Sequence, residues 1–352
     1  MAGVSNKDQE EMEFGIYTLG DWLKPVEKGK RITEHERVQQ MMKLAKMTEE
    51  AGLDVFGVGE SHQALFTTSS PQTILAAIAS VTEKIKLISS VTVLSTLDPV
   101  RVYEDFATID LLSDGRAEIV AGRGSRYGAY KLFGYDLNDY DDLFDEKFEL
   151  LLQLNEKQPI TWSGEYRAAL ENVEVYPKPL EGKLPIWRAV GQHFSSAMQA
   201  GRLGVPMQLA ALYGASSLYE KRVNVYWREA EKAGHSLDDL SIASATTVYM
   251  AEDSQTALKE YYPYMNDMSQ QLWGHSFSKD VFAQANSEKS AMMVGSPQQI
   301  IEKILYQYER FGHTRFLAQI DHGNIPFEQT LKMFEMFVDV VVPAVRKAIK
   351  NK

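Results

Sequence analysis

The sequence predicts an α/β protein, a single (β/α)8 TIM barrel spanning residues 1–352 with an inserted hairpin and rim loops. Three observations predict it. Strand-like and helix-like runs alternate from one end to the other, as parallel βαβ units do. Eight such units can be counted, and most of the strand runs are continuously apolar, as strands covered on both faces should be. With 352 residues, 44% of them hydrophobic, the chain can bury one large core, and barrels of this length commonly form one domain.

The strands are expected, in order, at Glu13 to Thr18, Asp54 to Glu60, Lys86 to Leu94, Ala117 to Ala121, Pro185 to Val190, Val205 to Ala210, Ser241 to Met250 and Arg315 to Ile320. The helices between them carry start and stop signals. Thr33 and Glu36 have capping-box spacing ahead of an apolar stripe at Val38, Met41, Met42 and Ala45, and Gly52 closes that helix. Ser70-Pro71 and Asp98-Pro99 put a cap residue before a proline at the first helical position. Ile74, Leu75 and Ile78 form one inward face, and Val102, Phe106 and Ile109 another. Two stretches leave the simple alternation. Thr161 to Pro179 reads as a short hairpin, and Tyr261 to Val294 as a polar and aromatic insertion of the kind that forms loops or lids at a barrel rim.

Composition excludes several functions. With 37 basic and 48 acidic residues the net charge is -11, which repels nucleic-acid phosphates and anionic membranes at long range. The absence of cysteine rules out disulfides, thiolate metal sites and a cysteine nucleophile. Met1 to Glu11 is polar and mostly acidic, unlike a secretory signal, and no segment approaches the roughly 18 apolar residues of a membrane span. The cytoplasm is the expected location. His193, His275, His313 and His322 show no metal-ligand spacing, so no metal site is expected, and neither a GxSxG elbow nor a P-loop is present.

A closed barrel collects its functional residues at the carboxyl ends of its strands. That rule selects Tyr17, Leu19 and Gly20, then Glu60, Ser61 and His62, then Ser90 to Thr96, Gly122 to Ser125, and Gly191 to Ser196. Glu60 and His62 are two titratable groups at one strand end and can orient a cofactor or shuttle a proton; a purely structural ion pair has the same signature. In Gly122-Arg123-Gly124-Ser125 the glycines allow close backbone approach to an anion and the guanidinium supplies fixed donors, although a glycine turn with a solvated arginine looks alike. Gly122, Gly124 and Gly128 are spaced GxGxxxG, which is not a dinucleotide fingerprint. The stretch Gly191-Gln192-His193-Phe194-Ser195-Ser196 leads from a strand into a helix beginning near Ser195, where free N–H groups can meet a phosphate or Ser195 can simply cap the helix.

Read together, these strand ends resemble the bacterial luciferase-like flavin monooxygenases. The resemblance is carried by Phe56-Gly57-Val58-Gly59-Glu60-Ser61-His62, by Asp98-Pro99-Val100-Arg101, and by Leu112-Ser113-Asp114-Gly115-Arg116 running into Gly122-Arg123-Gly124-Ser125. Pro185-Ile186-Trp187 with Gly191, Ala200-Gly201-Arg202-Leu203-Gly204 and Val294-Gly295-Ser296-Pro297 complete it. The resemblance implies FMN across the barrel mouth, its phosphate near Arg123, Ser125, Gly191, Gln192, His193 and Ser196, its ring lined by Ser90 and Val91 at an unusual cis peptide, with Glu60 facing the ring region. It further implies that reduced FMN and O2 oxidise an aldehyde or another small organic substrate, that a separate NAD(P)H:flavin reductase supplies the reduced flavin, and that the protein is a homodimer. Two positions depart from the family pattern. Ser61 stands in the middle of what is commonly Glu-His-His, leaving His62 as the candidate catalytic histidine beside Glu60, and the phosphate loop lacks a second glycine and a Thr-Pro-Glu run. A deazaflavin (F420)-dependent oxidoreductase and a non-catalytic flavin-binding protein are competing readings on the same barrel.

Overall fold

A computed structural model describes residues 11–26 and 30–351, so the polar start of the chain lies almost wholly outside the described residues. Eight parallel strands form the barrel: β1 (Glu13–Thr18), β2 (Val55–Val58), β3 (Lys86–Ser89), β4 (Ala117–Gly122), β5 (Ile186–Val190), β6 (Met207–Ala210), β7 (Ile242–Met250) and β8 (Arg315–Gln319). Each pairs with its neighbour in chain order, from Gly15 beside Val55 through to Ala243 beside Arg315, and β8 returns to β1 with Glu13 opposite Arg315. The ring is therefore closed, as the alternation predicts. Every residue of β2, β4, β7 and β8 is buried, including the charged Glu118 of β4 and Arg315 of β8.

The helix Glu34–Glu50 starts with the expected capping box: Thr33 accepts from the Glu36 N–H, and Glu36 accepts from the Thr33 N–H. Asp98 caps Pro99–Leu112 by accepting from Val100 N at 2.8 Å. Ser70 occupies the cap position of Pro71–Ala79 but its hydroxyl pairs with Thr73 instead of the backbone. The inserted hairpin joins Ile160–Trp162 to Leu170–Val173 in antiparallel register.

Beyond shifts of one or two residues at strand ends, three stretches differ from the expectation. Strand β3 stops at Ser89, and Thr92–Val93 then resumes pairing along β4 before a single turn of 3-10 helix at Leu94–Thr96. The helix after β5 begins at Phe194 with His193 at the cap position, one residue earlier than Ser195. Most notably, Tyr261 to Val294 is not a loop. Residues 261–273 continue a 20-residue helix, Ser254–Trp273, followed by the short helix Lys279–Ala283 and a strand, Met293–Gly295, that pairs with the outer end of β7. Ala257, Tyr261, Met265 and Met268 recur at helical spacing and are buried, and Tyr261 stacks on Tyr249 of β7 at 4.8 Å, so the aromatic content reflects an inward helical stripe.

Inside the barrel, Val55, Ile88, Val120, Trp187, Ala243 and Leu317 form a middle layer. Beneath it, at the amino ends of the strands, lies a floor of charges. Arg315 donates to both oxygens of Glu118 at 2.7 and 3.0 Å and to Glu13 at 2.6 Å. Trp187 Nε1 also donates to Glu118, and Lys86 closes the set on Glu13. Above the middle layer the inward residues become small, and a cavity opens.

Candidate active site

The cavity, about 140 Å³, sits at the carboxyl ends of the strands and is lined by Tyr17, Leu19, Glu60, Ser61, His62, Ser90, Val91, Ser125, Arg126, Gln208, Ala210 and Leu212, among others. Its position follows from closure of the ring, which turns every strand end toward one rim. Small residues make the space. A Cβ on Gly59 would meet Ser90 O at 2.3 Å, and one on Gly57 would meet the Tyr17 Cβ at 2.9 Å, so β2 and the residue just beyond it can lie this close to their neighbours only with glycine at both positions.

The segment after β3 forms a ledge along this cavity. The Ser90–Val91 peptide is cis, as the family resemblance implies. Glu60 N donates to Val91 O at 3.0 Å, and Gln208 Nε2 donates to the Ser90 hydroxyl at 3.0 Å. The Gln208 Oε1, Ser61 Oγ and Thr92 Oγ1 atoms are buried with no partner, so the ledge carries hydrogen-bonding capacity that the protein itself leaves unused.

Glu60 and His62 do meet. His62 Nε2 lies 2.6 Å from Glu60 Oε1, and the second oxygen of Glu60 accepts from Val93 N at 2.9 Å. Both side chains are almost fully buried, and the His62 ring rests edge-on against Phe133 at 4.9 Å. Glu60 is thereby fixed by a backbone N–H on one side, which holds the imidazole in a single orientation on the other.

A basic cradle lies on the β5 side. Arg123, at the end of β4, donates to Ser196 Oγ in the first turn of the helix Phe194–Leu203, and pairs with Asp141. Its guanidinium lies over the Tyr140 ring at 5.2 Å. Arg222, from the helix Ser216–Ala233, donates through Nε to Gln192 O at 3.0 Å and stands 4.9 Å from the Phe194 ring. Nothing lies within 4 Å of a Cβ built on Gly191, so the cradle opens to space there. The Arg123 guanidinium and the free N–H groups of a helix start, with Arg222 bracing the loop through backbone carbonyls, make a chemically suitable anion site. Ser125, Gln192 and His193 border this region; Gln192 and His193 are exposed, and none of the three is tied to Arg123.

On the opposite side, around β1 and the end of β8, the mouth holds buried acids. Asp321 pairs with Arg37 and accepts from the Thr18 hydroxyl at 2.5 Å. Asp21 accepts from Gly323 N at 2.7 Å, and burial, aided by Asp321, pushes its carboxyl up to about 6. His322, hydrogen-bonded to the Tyr261 hydroxyl at 2.8 Å, is pushed down to about 4 by burial. Among the described residues no group of three or more His, Asp or Glu side chains could hold a metal ion, and no helix is long and apolar enough to cross a membrane.

This architecture defines a class: a (β/α)8 barrel whose small-residue mouth carries a buried Glu–His pair and a separate anion cradle. The chain belongs to the luciferase-like monooxygenase family, whose model matches residues 12–315. It is 22% identical over 362 residues to an alkanal monooxygenase alpha chain of Photorhabdus luminescens, covering 96% of this chain and 98% of that one. It is 24% identical over 341 residues to the oxygenase component of a flavin-dependent trigonelline monooxygenase of Acinetobacter baylyi, covering 89% and 91%. Among solved structures, the monooxygenase RslO1 of Streptomyces bottropensis superposes with a TM-score of 0.81 at 22% identity, over 94% of this chain and 99% of that one. The FMN complex of the oxygenating constituent of 3,6-diketocamphane monooxygenase of Pseudomonas putida gives 0.71 at 18% identity, over 95% and 98%. An F420-dependent secondary alcohol dehydrogenase gives 0.72 at 17% identity, over 95% and 99%.

The structure thus brings together Glu60 with His62, Ser90 with Val91, and Arg123 with Ser196, and sets Gly191, Gln192 and His193 beside the cradle. Sequence reasoning missed Arg222, Gln208, Arg126 and the Asp21–Asp321 region. Only Gln208 left a trace, as a polar residue inside an apolar strand run.

Proposed function

We propose that this protein is the oxygenase of a two-component flavin system, which uses reduced FMN and O2 to oxidise a small organic substrate of aldehyde-like or related chemistry. The observation that carries this reading is the contact of Arg123 with Ser196, which joins the β4 loop to the β5 helix and builds an anion cradle next to the small-residue mouth. FMN fits the residues present. Arg123, Ser125, Gly191, Gln192, His193 and Ser196 hold the phosphate, with Arg222 bracing the loop through Gln192. Ser90 and Val91 line the ring, where the spare acceptor of Gln208 and the hydroxyl of Ser61 offer partners to its polar edge. Bound reduced flavin supplies the electrons that activate O2; the protein supplies placement, shelter from water and proton control.

His62 holds or moves a proton at Nε2, oriented by Glu60, whose other oxygen is anchored on Val93 N. Ser61 contributes no titratable group, so proton handling falls to the Glu60–His62 pair alone. The remaining elements of the reading are one domain built on the one barrel, a homodimer, and a cytoplasmic location, where a separate NAD(P)H:flavin reductase can renew the reduced flavin.

The test supplies reduced FMN through such a reductase, follows O2 uptake against aldehydes, sulfonates and ketones, and asks whether heavy-isotope label from O2 enters the organic product. Label incorporation supports the reading. The likeness to the F420-dependent dehydrogenase favours one alternative, hydride transfer to or from a deazaflavin, with Glu60 and His62 acting on the hydroxyl proton. Binding of a deazaflavin with indifference to FMN and O2 would select that alternative, and tight FMN binding without turnover would mark a flavin-binding protein.

A further inference from the structure

The basic residue of the mouth that the cofactor cradle does not use is Arg126. It stands three positions beyond Arg123 on the same loop, yet the two side chains diverge. Arg123 turns outward to Ser196, Asp141 and Tyr140. Arg126 reaches across the mouth, lines the cavity, and lies over the Phe66 ring at 4.3 Å, within the electrostatic reach of Asp21, Tyr213 and Tyr17. Its Nε is buried with no partner, and none of the ion pairs among the described residues includes it. A guanidinium in such a place is costly unless something supplies acceptors, since it cannot shed its charge as a lysine can. The nearby acids do not do so: Asp321 is held through one oxygen by Arg37 and Thr18, Asp21 through one oxygen by Gly323 N, and the remaining oxygen of each has no partner, so neither is bonded to Arg126.

We infer that Arg126 anchors the substrate, and that the substrate is an organic monoanion, an apolar body carrying a carboxylate or a comparable oxyanion, rather than a neutral aldehyde. The planar fork of the guanidinium matches two oxygens of one anionic group. One cation facing the residual negative charge of Asp21 suits a single charge better than a phosphate dianion. The same cavity is also lined by the apolar side chains of Leu19, Ala210, Leu212 and Ala245, which suit a hydrocarbon or aromatic body. The Phe66 ring below the guanidinium holds it at the cavity wall, with its Nε unpartnered.

The inference rests on the proposed oxygenase reading for the word substrate, but its test needs no turnover. Binding of benzoate, benzenesulfonate and neutral benzamide is measured by calorimetry on the full-length protein, with and without FMN, in wild type, Arg126→Gln and Arg126→Lys. Benzoate or benzenesulfonate is expected to bind at least about tenfold more tightly than benzamide. That preference should vanish in Arg126→Gln and return in part in Arg126→Lys, which also guards against misfolding, while FMN affinity stays within about twofold. Whichever of the two anions binds better identifies carboxylate or sulfonate. Equal binding of benzamide, failure of both anions to bind wild type, or a loss of FMN affinity in Arg126→Gln matching that of the anions overturns the inference. Absence of FMN binding with an intact, Arg126-dependent anion preference would instead defeat the flavin reading and leave the anion site standing.

Discussion

At the floor of the barrel every nitrogen of the Arg315 guanidinium has a carboxylate oxygen, both oxygens of Glu118 are engaged, and Trp187 and Lys86 complete the set. At the mouth, about one barrel height away, Gln208 Oε1, Ser61 Oγ, Thr92 Oγ1, Arg126 Nε and one oxygen each of Asp21 and Asp321 are buried and unmatched. Both ends are made of polar groups enclosed by protein. The difference teaches which end serves the chain itself and which is available to something else: the Arg315–Glu118 network is satisfied internally and specifies structure, whereas the open groups lining the mouth can accept a ligand.

The sharpest way to break this contrast is at the floor. Glu118→Ala leaves Arg315 and Trp187 buried and short of acceptors, and should cost about 3 kcal/mol or more of unfolding free energy in urea denaturation. A cost under about 1 kcal/mol would show the floor to be no more essential than an exposed ion pair. At the mouth, His62→Ala should slow turnover by about a hundredfold, with flavin affinity less affected. Equal losses of turnover and flavin affinity would make His62 a binding residue only.

The two ends should also respond oppositely to pH. The Glu118 carboxyl is desolvated yet held low by Arg315, so its contribution to stability is present above the ordinary glutamate range and is lost as pH falls through its lowered value. Asp21 behaves in the reverse sense. With its folded value up to about 6 against an ordinary value of 3.8, the folded state retains a proton that the unfolded chain has released, so stability falls as pH rises from about 4 to about 6. Asp21→Asn should therefore flatten the stability profile across that window; an unchanged slope in chemical denaturation would discount the buried acid. The smallest effect is expected at Thr92→Val, which removes a buried hydroxyl that has no partner and keeps the volume. Its stability should change by less than about 1 kcal/mol, and in the stabilising direction, whereas a larger loss would mean the hydroxyl is bonded within the protein.

The barrel was legible in the sequence because buried parallel strands must be apolar on both faces, and β1 matches its expected span, Glu13–Thr18, at both ends. The stop of β3 at Ser89 was not, since Ser90 to Leu94 continues in strand-like composition and only the path of the backbone reveals the ledge. The helix Ser254–Trp273 was misread because Pro263 and a run of polar and aromatic residues mimic an insertion, while the buried face that holds it is spread over four turns. In the site, Glu60 and His62 were visible because they are neighbours on the chain. Arg123 and Ser196 were visible as separate anion contacts at two strand ends, and only the family resemblance joined them in one phosphate site. Arg222 and Arg126 look like ordinary surface arginines, and Thr18 and Asp321 are 303 positions apart, so no local pattern could join them.

The central claim is that the open end of the barrel binds reduced flavin through the Arg123 cradle. The most direct measurement is an anaerobic fluorescence titration of wild type and Arg123→Ala with reduced FMN. The account predicts saturable binding to one site per chain, weakened by about tenfold or more in the variant, in keeping with the roughly 1.5–3 kcal/mol of a charge-assisted hydrogen bond. Equal affinities in the two proteins, or no saturable binding to wild type, would contradict it.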